Sequence, residues 1–230
     1  MSKILASIKN LSEARLLINT DIDIIDIKDP SNGALGRLNK NDIEDIVSFV
    51  NNKKLTSSTV GDLPNDEKLI SKNVNDVSST NIDFVKIGVY DDNYIQTLCN
   101  IKSCKKLIAV FFADKFLPSK IEIVNLKNSG FSGVMIDTSN KKTGNLFEHA
   151  SYKDISNFIT MAKNINLLTG IAGSINESHI DKIIKLRPNY AGFRGALCEN
   201  NKSRNSNISI NNVNNIISLI KDPGELYINV

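Results

Sequence analysis

Eight short apolar runs alternate along this chain with eight longer stretches whose apolar residues recur at helical spacing. That alternation constrains the fold more than any other feature of the sequence. The runs fall at 3–7, 23–28, 55–60, 84–89, 107–112, 133–138, 166–171 and 190–194. The helical stretches are 12–18, 41–51, 68–78, 93–101, 119–128, 152–162, 176–185 and 211–220. In the second of these, Ile43, Ile46, Val47 and Val50 share one face. Asn10 with Glu13, Asn41 with Glu44 and Ser174 with Glu177 have capping-box spacing and mark helix starts. Strand–helix alternation predicts a parallel sheet covered by helices. Eight such units predict that the sheet closes, so the fold class is α/β and the expected architecture is a (β/α)8 TIM barrel. The 230 residues are close to the roughly 250 typical of that fold, and 1–230 reads as a single domain.

Composition narrows the function. The net charge is +3, and Lys and Arg are interspersed with Asp and Glu, which suits an anionic small molecule and argues against nucleic acid. Cys99, Cys104 and Cys198 form no CxxC and no Cys/His cluster with metal spacing. The expectation is a reduced, cytoplasmic protein with no metal and no cofactor. The N-terminus lacks the long apolar core of a signal peptide, and no stretch approaches the ~20 apolar residues of a membrane span. Tyr227, Ile228 and Val230 make an apolar C-terminus that could pack on its own barrel or on a neighbour in a homo-oligomer.

In a barrel the active site lies at the C-terminal ends of the strands, so the ionisable residues there are the candidates. The second run, Asp23-Ile24-Ile25-Asp26-Ile27-Lys28, ends on a lysine just before Asp29-Pro30. Burial makes such an amine easier to deprotonate, and a neutral amine forms Schiff bases with aldehydes and ketones. Asp26, two residues earlier, shares its face. The third unit contributes Asp62, the fourth Lys86, the fifth Asp114, the sixth Asp137 with Lys141 in its loop, and the eighth Arg194. A lone lysine at a strand end is ordinarily a solvated edge residue or an ion-pair partner. Lys28, Lys86 and Asp137 stand at the ends of three even-numbered strands, which feed the same interior layers, and together they point to chemistry. The tetrapeptide Ile-Lys-Asp-Pro recurs at 220–223 as a helix stop, so the buried run before Lys28 carries the signal and the tetrapeptide does not. His149 and His179 fall in or beside helical stretches and read as surface residues, which leaves no support for a histidine triad.

Gly170-Ile171-Ala172-Gly173-Ser174 follows the seventh run and Gly192-Phe193-Arg194-Gly195 the eighth. Loops in these two places often make the phosphate site of a barrel. Glycine allows close backbone approach and arginine adds charge-assisted hydrogen bonds, so Gly173, Ser174, Arg194 and Gly195 are expected phosphate contacts, with Asp62 and Asp114 at the substrate rim.

At these residues the chain resembles the (5-formylfuran-3-yl)methyl phosphate synthases of methanofuran biosynthesis. The matching stretches are Asp23–Lys28 with Asp29-Pro30, Gly33-Ala34-Leu35-Gly36, Thr59-Val60-Gly61-Asp62 and Val85-Lys86-Ile87-Gly88-Val89-Tyr90. Ala113-Asp114, Met135-Ile136-Asp137-Thr138, Ala172-Gly173-Ser174-Ile175 and Arg194-Gly195-Ala196-Leu197-Cys198 complete them. The resemblance implies a (β/α)8 lyase that condenses two glyceraldehyde 3-phosphate molecules to one phosphorylated furan aldehyde with loss of phosphate and water. It further implies that Lys28 forms the Schiff base, that Lys86 accepts a proton, and that Asp26, Asp137 and Lys141 support them. Two alternatives stay open on the residues alone: a noncovalent phosphate-sugar isomerase or synthase barrel, and a noncatalytic triose-phosphate-binding barrel.

Overall fold

In a computed structural model of the chain, which describes residues 1–199 and 203–222, every one of the eight runs is a strand. They are β1 (Lys3–Ile8), β2 (Ile24–Ile27), β3 (Leu55–Thr59), β4 (Phe84–Val89), β5 (Lys106–Phe112), β6 (Gly133–Asp137), β7 (Leu168–Ile171) and β8 (Tyr190–Phe193). All pair in parallel with their sequence neighbours, and β8 returns to β1 through Lys3 opposite Tyr190 and Leu5 opposite Gly192. This closes the barrel expected from the alternation. The helices are α1 (Leu11–Leu17), α2 (Lys40–Val50), α3 (Glu67–Ser78), α4 (Asn93–Asn100), α5 (Lys120–Asn128), α6 (Leu146–His149), α7 (Tyr152–Lys163), α8 (Ile180–Leu186) and α9 (Ile210–Lys221). The short α6 is an addition to the expected plan; it fills the loop after β6 and carries its own capping box, Asn145 with Glu148. The apolar C-terminal residues Tyr227, Ile228 and Val230 lie outside the described residues. Among those described, no helix is long and apolar enough to cross a membrane.

Local chemistry sets the helix starts, and two differ from expectation. Asn10 caps α1 as expected, accepting the amide of Glu13 at 3.0 Å. For α2 the cap is Asn39 and not Asn41. Asn39 is extended, with ψ 160, and takes the amide of Asp42 at 2.9 Å, while Asn41 is already inside the helix. Ser174 does not cap either. Its φ of +50 is left-handed, so the extended cap position falls on Asn176, which starts the 3-10 turn Glu177–His179 leading into α8. The imidazole of His179 receives the amide of Asn176 at 3.1 Å and stacks on Phe147, so this histidine is a buried cap and not the surface residue expected.

Two apolar layers hold the barrel. Outward-facing strand residues such as Ile4, Ile25, Val85 and Ile136 pack against the inner faces of the helices, for example Ile43 and Ile46 of α2. Inside, Leu5, Ile24, Phe84, Ile108 and Tyr190 form a floor toward the N-terminal ends of the strands. Gly170 makes this floor possible: a Cβ there would stand 2.3 Å from the Tyr190 ring, so only glycine lets that ring cross the barrel. Each fully buried Leu, Ile or Phe contributes about 1.5–3 kcal/mol. That contribution offsets the cost of the charged layer stacked above it.

Candidate active site

The period of two that puts Leu5, Ile24 and Phe84 in the floor puts Ser7, Asp26 and Lys86 in the next interior layer. Asp26 is completely buried there. One oxygen of its carboxylate accepts the Ser7 hydroxyl at 2.8 Å, and the other accepts the Ser57 hydroxyl at 2.7 Å and pairs with Lys86 Nζ at 2.5 Å. Three strands thus converge on one carboxylate of a fourth. Burial opposes its ionised form, but the charges of Lys86 and Lys28 and the hydrogen bonds from Lys86 and Ser57 hold the carboxyl below its ordinary value.

One layer higher, Lys28 stands just past the end of β2 and is 6 % exposed. Its Nζ donates to the carbonyl of Ala34 at 3.2 Å. Among the described residues no carboxylate is in ion-pair contact with it, whereas Lys86 has Asp26 and Lys141 has Asp137. Burial is the strongest influence on this amine. Asp137 opposes the effect, Lys141 and Lys86 reinforce it, and the balance brings the amine from 10.5 down to about 7. Asp137 ends β6, takes the amide of Thr138 at 2.7 Å and is clasped by Lys141, whose Nζ also reaches the Thr138 carbonyl at 2.5 Å. Burial works against the Asp137 charge, yet Lys141, then Lys28, and these hydrogen bonds hold its carboxyl down to about 2.

The predicted catalytic set, Lys28, Lys86, Asp26, Asp137 and Lys141, therefore lines one cavity of about 330 Å3 at the C-terminal mouth of the barrel. Gly173, Ser174, Arg194 and Gly195 line it too, with Gly173 at φ +109 against Thr138. A larger cavity of about 680 Å3 opens at the opposite mouth, between the apolar floor and a rim that includes Lys3, Lys163 and Arg187.

The rim residues hold loops in place. Asp62 accepts the amide of Leu35 at 3.1 Å and the hydroxyl of Tyr90, which ties the loop after β2 to the ends of β3 and β4. Asp114 accepts the Ser139 hydroxyl at 2.5 Å and the amides of Ser139 and Asn140 at 2.6 and 2.9 Å, which fixes the loop that carries Lys141. Burial raises the Asp114 carboxyl, but the Ser139 hydroxyl and these amides outweigh it and leave it lowered. Neither carboxylate is arranged to receive a phosphate.

Arg194 also differs from its expected role. Its guanidinium pairs with Glu13 through Nη1 at 2.6 Å and Nη2 at 3.1 Å. It also donates to the carbonyls of Ser7, Arg204 and Ser206. All three nitrogens are engaged, so no donor is left to grip an anion.

Comparison with known proteins agrees with this geometry. The model of the 4-HFC-P synthase family matches residues 4–217. The chain belongs to that family. It is 29% identical to the (5-formylfuran-3-yl)methyl phosphate synthase of Archaeoglobus fulgidus over 87% of this chain and 92% of that one. It is 27% identical to the synthase of Methanocaldococcus jannaschii over 95% and 99%. Its fold is shared with phosphoribosyl anthranilate isomerase from Thermus thermophilus (TM-score 0.65, 10% identity, 96% of this chain and 100% of that one). It is also shared with 3-hexulose-6-phosphate synthase from Salmonella typhimurium (TM-score 0.63, 13% identity, 95% and 99%). The chain is thus an enzyme, a phosphate-eliminating lyase of methanofuran biosynthesis acting on a phosphorylated small molecule.

Several parts of this synthase's site are invisible to a reading of strand ends alone. Ser7 and Ser57 fix Asp26, and their one sequence signal is a hydroxyl at an inward position of an otherwise apolar strand. Glu13 lies in α1 and meets Arg194 across 181 residues of chain. Arg204 lines the cavity from the polar stretch before α9, where nothing in the sequence marks it.

Proposed function

We propose that Lys28 is the amine that carries the reaction and that its substrate is glyceraldehyde 3-phosphate. The observation behind this is the contrast among three lysines in one cavity: Lys86 and Lys141 each hold a carboxylate, and among the described residues Lys28 holds only a carbonyl. A buried amine brought to about 7 is substantially neutral in the physiological range and can attack an aldehyde. The Lys28 nitrogen adds to C1 of the triose, water leaves, and an iminium forms. The iminium withdraws electrons, so the proton on C2 becomes acidic. Lys86 gives its proton to the carbinolamine hydroxyl that leaves as water and, now neutral beside Asp26, takes the C2 proton; the electron pair then expels the phosphate from C3. The enol that remains bonds through its C3 to the C2 carbonyl of a second triose phosphate in its ketone form, and cyclisation with loss of two waters gives the 3-substituted furan. Lys141, anchored on Asp137, presents a cation beside Lys28 for the leaving phosphate or the second carbonyl.

A noncovalent isomerase would have no use for a lysine kept without a counter-ion, and a pure binder none for three buried lysines. The three cysteines are unpaired, which supports a reducing, cytoplasmic setting. Borohydride added with glyceraldehyde 3-phosphate reduces the iminium to a stable amine, and peptide mass mapping finds it. The expected adduct is on Lys28. An adduct on another lysine, or none, overturns the assignment.

A further inference from the structure

Among the described residues, two cations in this cavity lack a carboxylate in ion-pair contact. Five basic side chains line it: Lys28, Lys86, Lys141, Arg194 and Arg204. Lys86, Lys141 and Arg194 are paired with Asp26, Asp137 and Glu13. Among the described residues Lys28 and Arg204 have no ion-pair contact, although Glu177 also lines the wall. Lys28 is the reacting amine, which leaves Arg204 as the fixed positive charge available to a substrate anion.

The loop that carries Arg204 is built to hold it there. Arg194 Nε donates to the Arg204 carbonyl at 2.7 Å and Nη2 to the Ser206 carbonyl at 2.8 Å, while Lys9 Nζ reaches the Asn205 carbonyl at 2.6 Å. The buried Glu13–Arg194 pair thus locks the backbone of this loop to the end of β8. The Arg204 side chain reaches across the mouth, and its Nη2 donates to the carbonyl of Gly33 at 3.1 Å. Gly33 adjoins Ala34, the partner of Lys28. Among the described residues one of its five guanidinium N–H groups is used, which leaves the remainder of the planar fork to two oxygens of a phosphate monoester. Burial, the largest influence, works against its charge and with Arg194 leaves it lowered, while Asp137, Asp62 and Asp29 favour the charge.

We infer that Arg204 is the phosphate-gripping residue of the substrate site, that its target is the phosphomonoester of the triose, and that Arg194 acts as the positioning residue behind it. The inference rests on Lys28 as the reacting amine, and the test separates the two. Borohydride trapping is run on the wild type, Arg204→Ala and Arg204→Lys with two aldehydes, glyceraldehyde 3-phosphate and unphosphorylated glyceraldehyde. Binding of inorganic phosphate is measured in parallel by calorimetry, with no aldehyde present. The half-saturating concentration of the phosphorylated triose is expected to rise roughly 10- to 100-fold in Arg204→Ala, as is the Kd for inorganic phosphate, with partial recovery in Arg204→Lys. Trapping with glyceraldehyde is expected to stay within about twofold of the wild type, since no phosphate is there to be held. Equal losses with both aldehydes, or an unchanged phosphate Kd, overturn the role of Arg204. Absence of trapping in every protein overturns Lys28 instead, and the phosphate Kd then decides Arg204 by itself.

Discussion

Lys28→Met is expected to stabilise the protein while abolishing its chemistry. Methionine keeps most of the lysine stem and removes the amine. In the unfolded chain the amine holds its proton to about 10.4, whereas the folded protein lowers it to about 7. Between these values the unfolded state binds more protons, so stability rises with pH across the window. At about 1.36 kcal/mol per pKa unit, forcing the protonated amine into this site costs about 5 kcal/mol. At pH 7.5 the cost is about 4 kcal/mol, because about three quarters of the folded molecules have shed the proton. Methionine also leaves the Ala34 carbonyl without the lysine donor, which returns some of that, so the expected gain in Lys28→Met is about 2–4 kcal/mol at pH 7.5. The assay is urea unfolding of wild type and variant from pH 7 to 9.5. Groups common to both cancel in the difference, which should shrink by about 2.5 kcal/mol between pH 7.5 and 9.5, because there the unfolded lysine still holds a proton that the folded one has shed. A difference that stays flat over this range, or a variant less stable than the wild type at pH 7.5, would show that the amine keeps its ordinary proton affinity, and the case for a neutral nucleophile would fall with it.

Two further substitutions probe the charged layer. Glu13→Gln leaves the buried Arg194 guanidinium without its counter-charge and is expected to cost about 3–5 kcal/mol, read as a drop in the urea midpoint; an unchanged midpoint would show that the loop carbonyls alone hold Arg194. For Asp137 the folded carboxyl, at about 2, is more acidic than the unfolded one, so it adds about 2 kcal/mol that is present above pH 4 and lost as pH falls toward 2. Asp137→Asn lacks that component. Its stability deficit relative to the wild type should close over the same range, and a constant deficit would refute the Lys141–Asp137 coupling.

Strand order, closure and the Lys28 neighbourhood were legible for a common reason. Period-two and period-3.6 patterns are local, and eight alternating units allow one economical closure. That geometry carries Lys28, Lys86, Asp26, Asp137 and Lys141 to one mouth without knowledge of any contact. Helix caps were less legible, because the residue that caps is decided by backbone angles that neighbours impose. Ser174 and Asn41 have the right spacing, yet Asn176 and Asn39 hold the extended conformation.

By itself, then, the sequence determined the barrel and the strand end at which Lys28 stands, since both follow from patterns within a few residues of chain. The tertiary structure decided which charge is free to act. Arg194 and Arg204 look alike in one dimension, and Arg194 even sits beside a glycine where an anion clamp is expected. Folding brings Glu13 from α1 to Arg194 and saturates it, and the same contact fixes the loop that sends Arg204 over the mouth. A counter-ion across 181 residues leaves no trace in local spacing. Whether a buried cation holds the fold or holds a substrate depends on that partner and not on the cation's own surroundings in the chain.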